Sequence, residues 1–238
     1  MRPLRFLAQI AALVGAVALA AGAEAQSLGL GHDHVTPRLV AETDGGTPGS
    51  TLYVALVQTI EPHWHTYWRN PGDAGEPTTI AWTLPDGWKA GDIVWPAPKR
   101  LPVGPLMNYG YEGEPILAVP LTIPASAKPG QTAHLAAKVS MLVCADVCVP
   151  QQNQLTLDVP VVADGAPVDA AWGGRIARAL AQAPKDSGLA ATYQVSVTTV
   201  RLAIAGPALT GKSGADAYFY PYAGDVIDQA KPQAIDLG

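Results

Sequence analysis

Cys144 and Cys148 are the only two cysteines in a chain of 238 residues. They stand four positions apart, with three residues between them, in Met141-Leu142-Val143-Cys144-Ala145-Asp146-Val147-Cys148-Val149-Pro150. A bond between them closes a loop of five residues, and the chain entropy removed by so small a loop is worth only about 2 kcal/mol. That is little for a structural staple. The spacing also lets the pair open and close by thiol exchange without disturbing a distant part of the fold. The chemistry suggested is that of a redox dithiol. Two structural thiols, or a short inert disulfide pinning a hairpin, remain open beside it, because a CxxxC match does not decide between them.

The elements that must position the pair are strands. Ala133 to Val143 alternates, with Ala137, Val139, Met141 and Val143 on an apolar side and His134, Lys138, Ser140 and Cys144 on the other. By parity Cys144 is expected to face away from the core. Leu155, Leu157 and Val159 point inward on a return strand, which puts Cys144 to Cys148 at the turn of a hairpin, open to a partner. Pro150 is expected to limit ladder pairing just beyond it. Asp146 lies between the cysteines and disfavours a thiolate, while Lys138 and His134 sit farther back. No strongly acidified thiol follows from this, and a reducing or relay pair is expected rather than a strong oxidant.

The start of the chain reads as an export signal. Arg2 and Arg5 form a basic segment, Phe6 to Ala20 is apolar apart from Gln9 and Gly15, and Ala23-Glu24-Ala25 offers a small-x-small cleavage site. Residues 1–25 are therefore expected to be removed. No later stretch approaches the ~20 apolar residues that span a bilayer. A net charge of -5 without a Lys/Arg cluster makes nucleic acid and anionic membrane surfaces poor partners. The 24 Gly and 22 Pro favour short strands and turns over long helices.

His32, Asp33 and His34 near the new N-terminus offer metal-ligating atoms, but histidines near a terminus are more often solvated. Leu52, Val54 and Leu56 make the first clear strand, with one apolar face. Glu61 to Pro77 has the most distinctive composition. His63 and His65, two apart, would share a strand face as a metal pair could, yet no third ligand is evident. The stretch is read as structural, with Trp64 and Trp68 supplying buried area. Ile80, Trp82 and Leu84 form a strand, Ile93 to Trp95 a brief edge, and Leu106 to Glu114 a loop with exposed aromatics. Leu117, Val119, Leu121 and Ile123 alternate as another strand.

Several of these segments together resemble a known family. His63-Trp64-His65-Thr66-Tyr67-Trp68-Arg69-Asn70-Pro71-Gly72, Trp82-Thr83-Leu84-Pro85, Trp95-Pro96-Ala97-Pro98, Asn108-Tyr109-Gly110-Tyr111-Glu112-Gly113 and Val143 to Pro150 occur in the order found in the periplasmic N-terminal region of DsbD-type thiol:disulfide interchange proteins. The branch called suppressor of copper sensitivity protein B is the most similar. The resemblance covers roughly residues 38 to 160. It implies an all-β, immunoglobulin-like sandwich whose cysteines accept electrons from a membrane-embedded donor domain and pass them to exported thioredoxin-fold proteins. It further implies that Cys148 forms the mixed disulfide, that Cys144 resolves it, and that Met107, Asn108, Tyr109 and Tyr111 belong to a cap loop shielding the pair. The chain departs from the better-known pattern in two ways: that cap carries a phenylalanine where Asn108 stands beside Tyr109, and the cysteines there are farther apart. No cofactor is implied beyond the Cys144–Cys148 disulfide itself.

Three domains are expected: the signal at 1–25, the redox domain at 26–164, and a linker helix with a partial second β domain at 165–238. Trp172, Ile176, Leu180 and Ala183 fall at helical spacing, and Tyr193 to Ile204 and Ala217 to Tyr222 read as strands. The chain stops at Gly238 soon after, so a fragment or truncated product is expected, with exposed strand edges. Gly206 to Ser213 satisfies the P-loop expression, but Gly214-Ala215-Asp216 reads as a turn where a phosphate-facing helix must begin, so no nucleotide is expected. The competing function is binding without turnover: Met107, Met141, Cys144, Cys148 and some histidines as a Cu(I) site. Against it, Met141 is expected in the core and the histidines are scattered.

Overall fold

The computed structural model describes residues 32–212, 214 and 216–236. The expected signal segment, 1–25, lies outside them. Asp33 onward forms one compact unit. Its strands are β1 (Val35–Ala41), β2 (Thr51–Ile60), β3 (Thr66–Gly72), β4 (Thr79–Thr83), β5 (Lys89–Ala90), β6 (Lys99–Val103), β7 (Leu106–Tyr111), β8 (Ile116–Thr122), β9 (Thr132–Cys144) and β10 (Cys148–Pro160). Helix α1 (Gly173–Gln182) follows, and then β11 (Ala190–Val195) and β12 (Val200–Ala205). Among the described residues no helix is long and apolar enough to cross a membrane.

The expected all-β, immunoglobulin-like sandwich is what forms. One sheet runs β1-β2-β8-β5 and the other β10-β9-β4, with all pairings antiparallel. Period-two alternation drives this: Leu52, Val54 and Leu56 of β2 and Leu117, Val119 and Leu121 of β8 share a core with Leu135, Val139, Met141 and Val143 of β9. The second face of β2 and β8 is covered too. Ala55, Val57, Ile116 and Ala118 pack under Ile176 and Ala179 of α1, the amphipathic helix expected from its spacing.

A third sheet, β3-β7-β6, continues from the same edge of β9 that β4 uses. β4 pairs with Ala136 to Ser140, and past its end His65 pairs with Cys144. The seam between β4 and β3 therefore falls beside the cysteines.

Three expectations are corrected here. Leu106 to Tyr111 is strand β7 rather than a loop, and Asn108, Tyr109 and Tyr111 are buried. Gly110 permits it, because a Cβ at that position would run into the Thr66 carbonyl of the adjacent β3. Ala217 to Tyr222 is irregular rather than a strand. Its aromatics leave no ladder to make: Tyr218 and Tyr220 stack edge-on around Tyr109, and Tyr220 and Tyr222 pack on Trp68. The main chain of Phe219 is held by the Gln233 carboxamide at 2.8 and 2.9 Å. The stretch Tyr193 to Ile204, expected as a strand, is instead split into β11 and β12, which pair as a hairpin turned where Ser196 N–H donates to the Thr199 carbonyl at 2.9 Å, with Tyr193 and Val195 exposed.

Candidate redox site

The β9–β10 ladder runs without interruption from Thr132 opposite Pro160 to Cys144 opposite Cys148. Ala145 N–H donates to the Val147 carbonyl at 3.0 Å and closes the tip. Facing positions on neighbouring strands lie close enough for a bond, and the two sulfurs form one, at 2.02 Å. The hairpin position inferred from sequence is thus observed. Pro150, however, sits inside the ladder opposite Leu142 rather than ending it. β10 is the outer strand of its sheet, where a proline lacking its N–H is tolerated.

The cysteines differ sharply in exposure. Cys148 is exposed, beside an exposed Asp146 and Val147, while Cys144 is 1% exposed. Parity alone put Cys144 on the outer face, and the neighbouring strand corrects that. His65 N–H donates to the Cys144 carbonyl at 2.9 Å and Cys144 N–H to the His65 carbonyl at 3.0 Å, so the start of β3 lies over Cys144.

β3 then distributes its side chains by parity. Thr66 and Trp68 turn inward: the Thr66 hydroxyl donates to Gln58 Oε1 at 2.8 Å, and Trp68 joins the core. His65 and Tyr67 turn to the disulfide. Tyr67 Oη lies 3.9 Å from Cys148 Sγ, and His65 Nε2 lies 3.2 Å from Tyr67 Oη with the rings edge-to-face at 5.1 Å. Burial lowers the pKa of His65, with the charge of Glu112 opposing, and burial raises that of Tyr67. At neutral pH the pair is a neutral imidazole beside a protonated phenol. Gly75, at φ +105°, packs against the Tyr67 ring, which a Cβ there would strike.

Sequence reasoning kept His65 and Tyr67 as structural residues. Their shared face was readable from their spacing, but the pairing of His65 with Cys144 is a long-range register that no local pattern contains. His63 does not share that face; it sits exposed in a turn at φ +72°. Trp64 stacks on His34, with ring centroids 3.5 Å apart.

The four residues expected in a cap make their interactions elsewhere. The Met107 N–H donates to Asp73 Oδ2 at 2.8 Å, and Asn108 Oδ1 accepts from Ala74 N–H at 3.2 Å. Tyr109 Oη donates to Gln229 Oε1 at 2.7 Å, and Tyr111 Oη donates to the Pro96 carbonyl at 2.7 Å. The side chain beside Cys148 is Tyr67, and β7 stands behind it, with Gly110 opposite Tyr67. Met141 is buried, as expected, and its Sδ accepts from Gln58 Nε2 at 3.9 Å. At the P-loop-like stretch a short 3-10 turn forms at Pro207–Leu209, and no helix starts at Lys212 among the described residues.

Residues 37–160 match the model of the family described as thiol:disulfide interchange protein DsbD, N-terminal. The chain belongs to that family. The match runs from within β1 to the end of β10 and includes both cysteines. The family is named for thiol:disulfide interchange, and the Cys144–Cys148 disulfide lies within the matched residues. A search of curated proteins finds no match. Among solved structures, the N-terminal periplasmic domain of ScsB from Proteus mirabilis shares the fold. It aligns with TM-score 0.55 and 23% identity over 73% of this chain and 64% of that one. The chain thus spans less than two thirds of that domain's length. The Neisseria meningitidis DsbD N-terminal domain in its reduced form aligns with TM-score 0.30 and 15% identity, over 56% of this chain and 90% of that chain.

Proposed function

We propose that this DsbD-type domain is a periplasmic electron relay, reduced by a membrane-embedded donor domain and reducing exported thioredoxin-fold proteins. The observation that carries it is the unequal exposure of the two sulfurs. Exchange needs one sulfur that a partner can reach and one that waits. In the reduced state the Cys148 thiolate attacks a partner disulfide, forming the mixed disulfide and releasing one partner sulfur as thiolate. The Cys144 thiolate then attacks Cys148 Sγ, the second partner sulfur leaves, and two electrons have passed to the partner. A donor dithiol restores the pair by the same steps in reverse. The periplasmic location is supported by the likeness to the ScsB domain, which is a periplasmic domain. Shielding in this reading belongs to Tyr67, with Met107, Asn108, Tyr109 and Tyr111 acting from β7 behind it.

The test is thiol titration of the purified chain across glutathione redox buffers. The expected result is a reversible two-electron transition between about -270 and -180 mV, the range from thioredoxin to the disulfide isomerases. A potential near about -120 mV, that of a strong oxidant, or a pair locked in one state, overturns the relay.

A further inference from the structure

We propose that the Tyr67 hydroxyl is the hydrogen-bond donor that holds reduced Cys148 as a thiolate, and that His65 is the positioning residue that aims it. This rests on the exchange reading for its purpose, since a nucleophilic Cys148 is useful only where thiols exchange. Its physical basis is separate.

Tyr67 Oη is already within reach of Cys148 Sγ in the oxidised state, at 3.9 Å. A sulfur in a disulfide is a weak acceptor. The thiolate left after reduction is a strong one, and hydrogen bonds to an ionised partner are about twice as strong as neutral ones. The donor is therefore in place before the charge it serves exists.

Direction is the second point. A phenol has one hydrogen to give, and Tyr67 Oη has two neighbours, His65 Nε2 at 3.2 Å and Cys148 Sγ. Burial keeps the imidazole neutral, so one of its nitrogens carries a proton and the other does not. With that proton on Nε2, His65 donates to Tyr67 Oη and the phenol hydrogen is left for Cys148. Tyr67 keeps its own proton, since burial disfavours the phenolate. No proton passes through it; the one lost by Cys148 goes to solvent.

Position is the third. Tyr67 is 1% exposed, its ring lies against Gly75, and the two main-chain bonds between His65 and Cys144 lock the strand that carries both rings to the strand that carries the sulfur. Asp146 in the hairpin tip is negative and works against a thiolate, and Glu112, which acts on His65, is itself paired with Lys99 at 3.2 Å. The favourable contact comes from Tyr67.

The experiment is the pH dependence of alkylation of the reduced chain by iodoacetamide, which reacts with thiolate and reaches exposed Cys148 first. Tyr67→Phe keeps the ring and removes the donor. It is expected to raise the apparent pKa of Cys148 by about one unit, cutting the reaction rate about tenfold at a fixed pH below that value. His65→Leu is expected to shift the profile the same way by less, and His65→Gln, which retains an amide donor, to restore most of it. A Tyr67→Phe profile superimposable on wild type in a folded protein overturns the proposal. If Tyr67→Phe does not fold, the His65 pair decides: equal profiles for Leu and Gln overturn it. The alkylation needs no partner, so a chain that never exchanges with one sinks the relay and still leaves this inference to be decided.

Discussion

His65 and Cys144 exchange both of their main-chain hydrogen bonds, at 2.9 and 3.0 Å, so the strand that covers the buried cysteine is tied to it through backbone and not through sulfur. Opening the disulfide leaves those bonds intact. The same holds for the β9–β10 ladder, which reaches the cysteines by main-chain pairing alone. A site built this way separates its scaffold from its chemistry.

The first prediction concerns that separation. The double variant Cys144→Ala/Cys148→Ala should lose only about 2 kcal/mol, the loop-closure term for so short a loop. Urea unfolding should remain a single cooperative transition with an m-value close to wild type, because the exposed surface on unfolding is the same. A loss much above that figure would make the bond a staple, and the relay would lose its physical rationale.

A second prediction follows from the burial of His65. Its pKa in the folded chain lies below the usual 6.5, because burial disfavours the imidazolium more than the charge of Glu112 favours it. The unfolded chain therefore binds the extra proton first as pH falls. The resulting stability is fully present above about 6.5 and is lost progressively as pH drops from there through the lower folded value. Stability of wild type and His65→Gln, compared by urea unfolding from pH 7.5 to 5, should converge toward acid. Parallel curves would show that His65 does not carry the dependence.

Much of the scaffold is legible in the sequence, because β2, β8, β9 and β10 each carry their own period of two and α1 its own period of about four. The hairpin tip at Cys144 to Cys148 followed from two such strands meeting. What failed was everything decided by a partner far along the chain. Cys144 obeys the parity of β9 yet is buried, since His65 covers the face that parity left open. Asn108-Tyr109-Gly110-Tyr111 has the composition of a loop, and becomes a buried strand because Gly110 lets β7 close on Thr66. Tyr218, Tyr220 and Tyr222 alternate as a strand would, but the rings of Trp68 on β3 and Tyr109 on β7 offered them better contacts than a ladder. Tyr67 was missed for the same reason as Cys144: its sulfur partner lies across a register that local sequence does not encode.

A third prediction concerns those rings. Tyr109 is fully buried, and its hydroxyl is the polar link between β7 and the C-terminal segment: it lies 3.0 Å from Tyr218 Oη and donates to the buried Gln229 Oε1 at 2.7 Å. Arg69 over Tyr222 and Arg100 over Tyr218, at 4.2 and 4.7 Å, add cation-π contacts at the margin, and Asn70 Nδ2 donates to the Pro221 and Ala223 carbonyls. Tyr109→Phe keeps the ring stacking and leaves Gln229 without its donor, a loss of about 1–3 kcal/mol for a buried acceptor. Because these bonds join two segments and leave the sandwich core untouched, the loss should appear locally. Amide exchange across 217–233 should quicken while that of β9 and β10 stays as in wild type. Uniform loss of protection over both regions would mean that the segment and the sandwich open as one cooperative unit. In that case the aromatic cluster is part of the core that carries the redox hairpin rather than a cover laid over it.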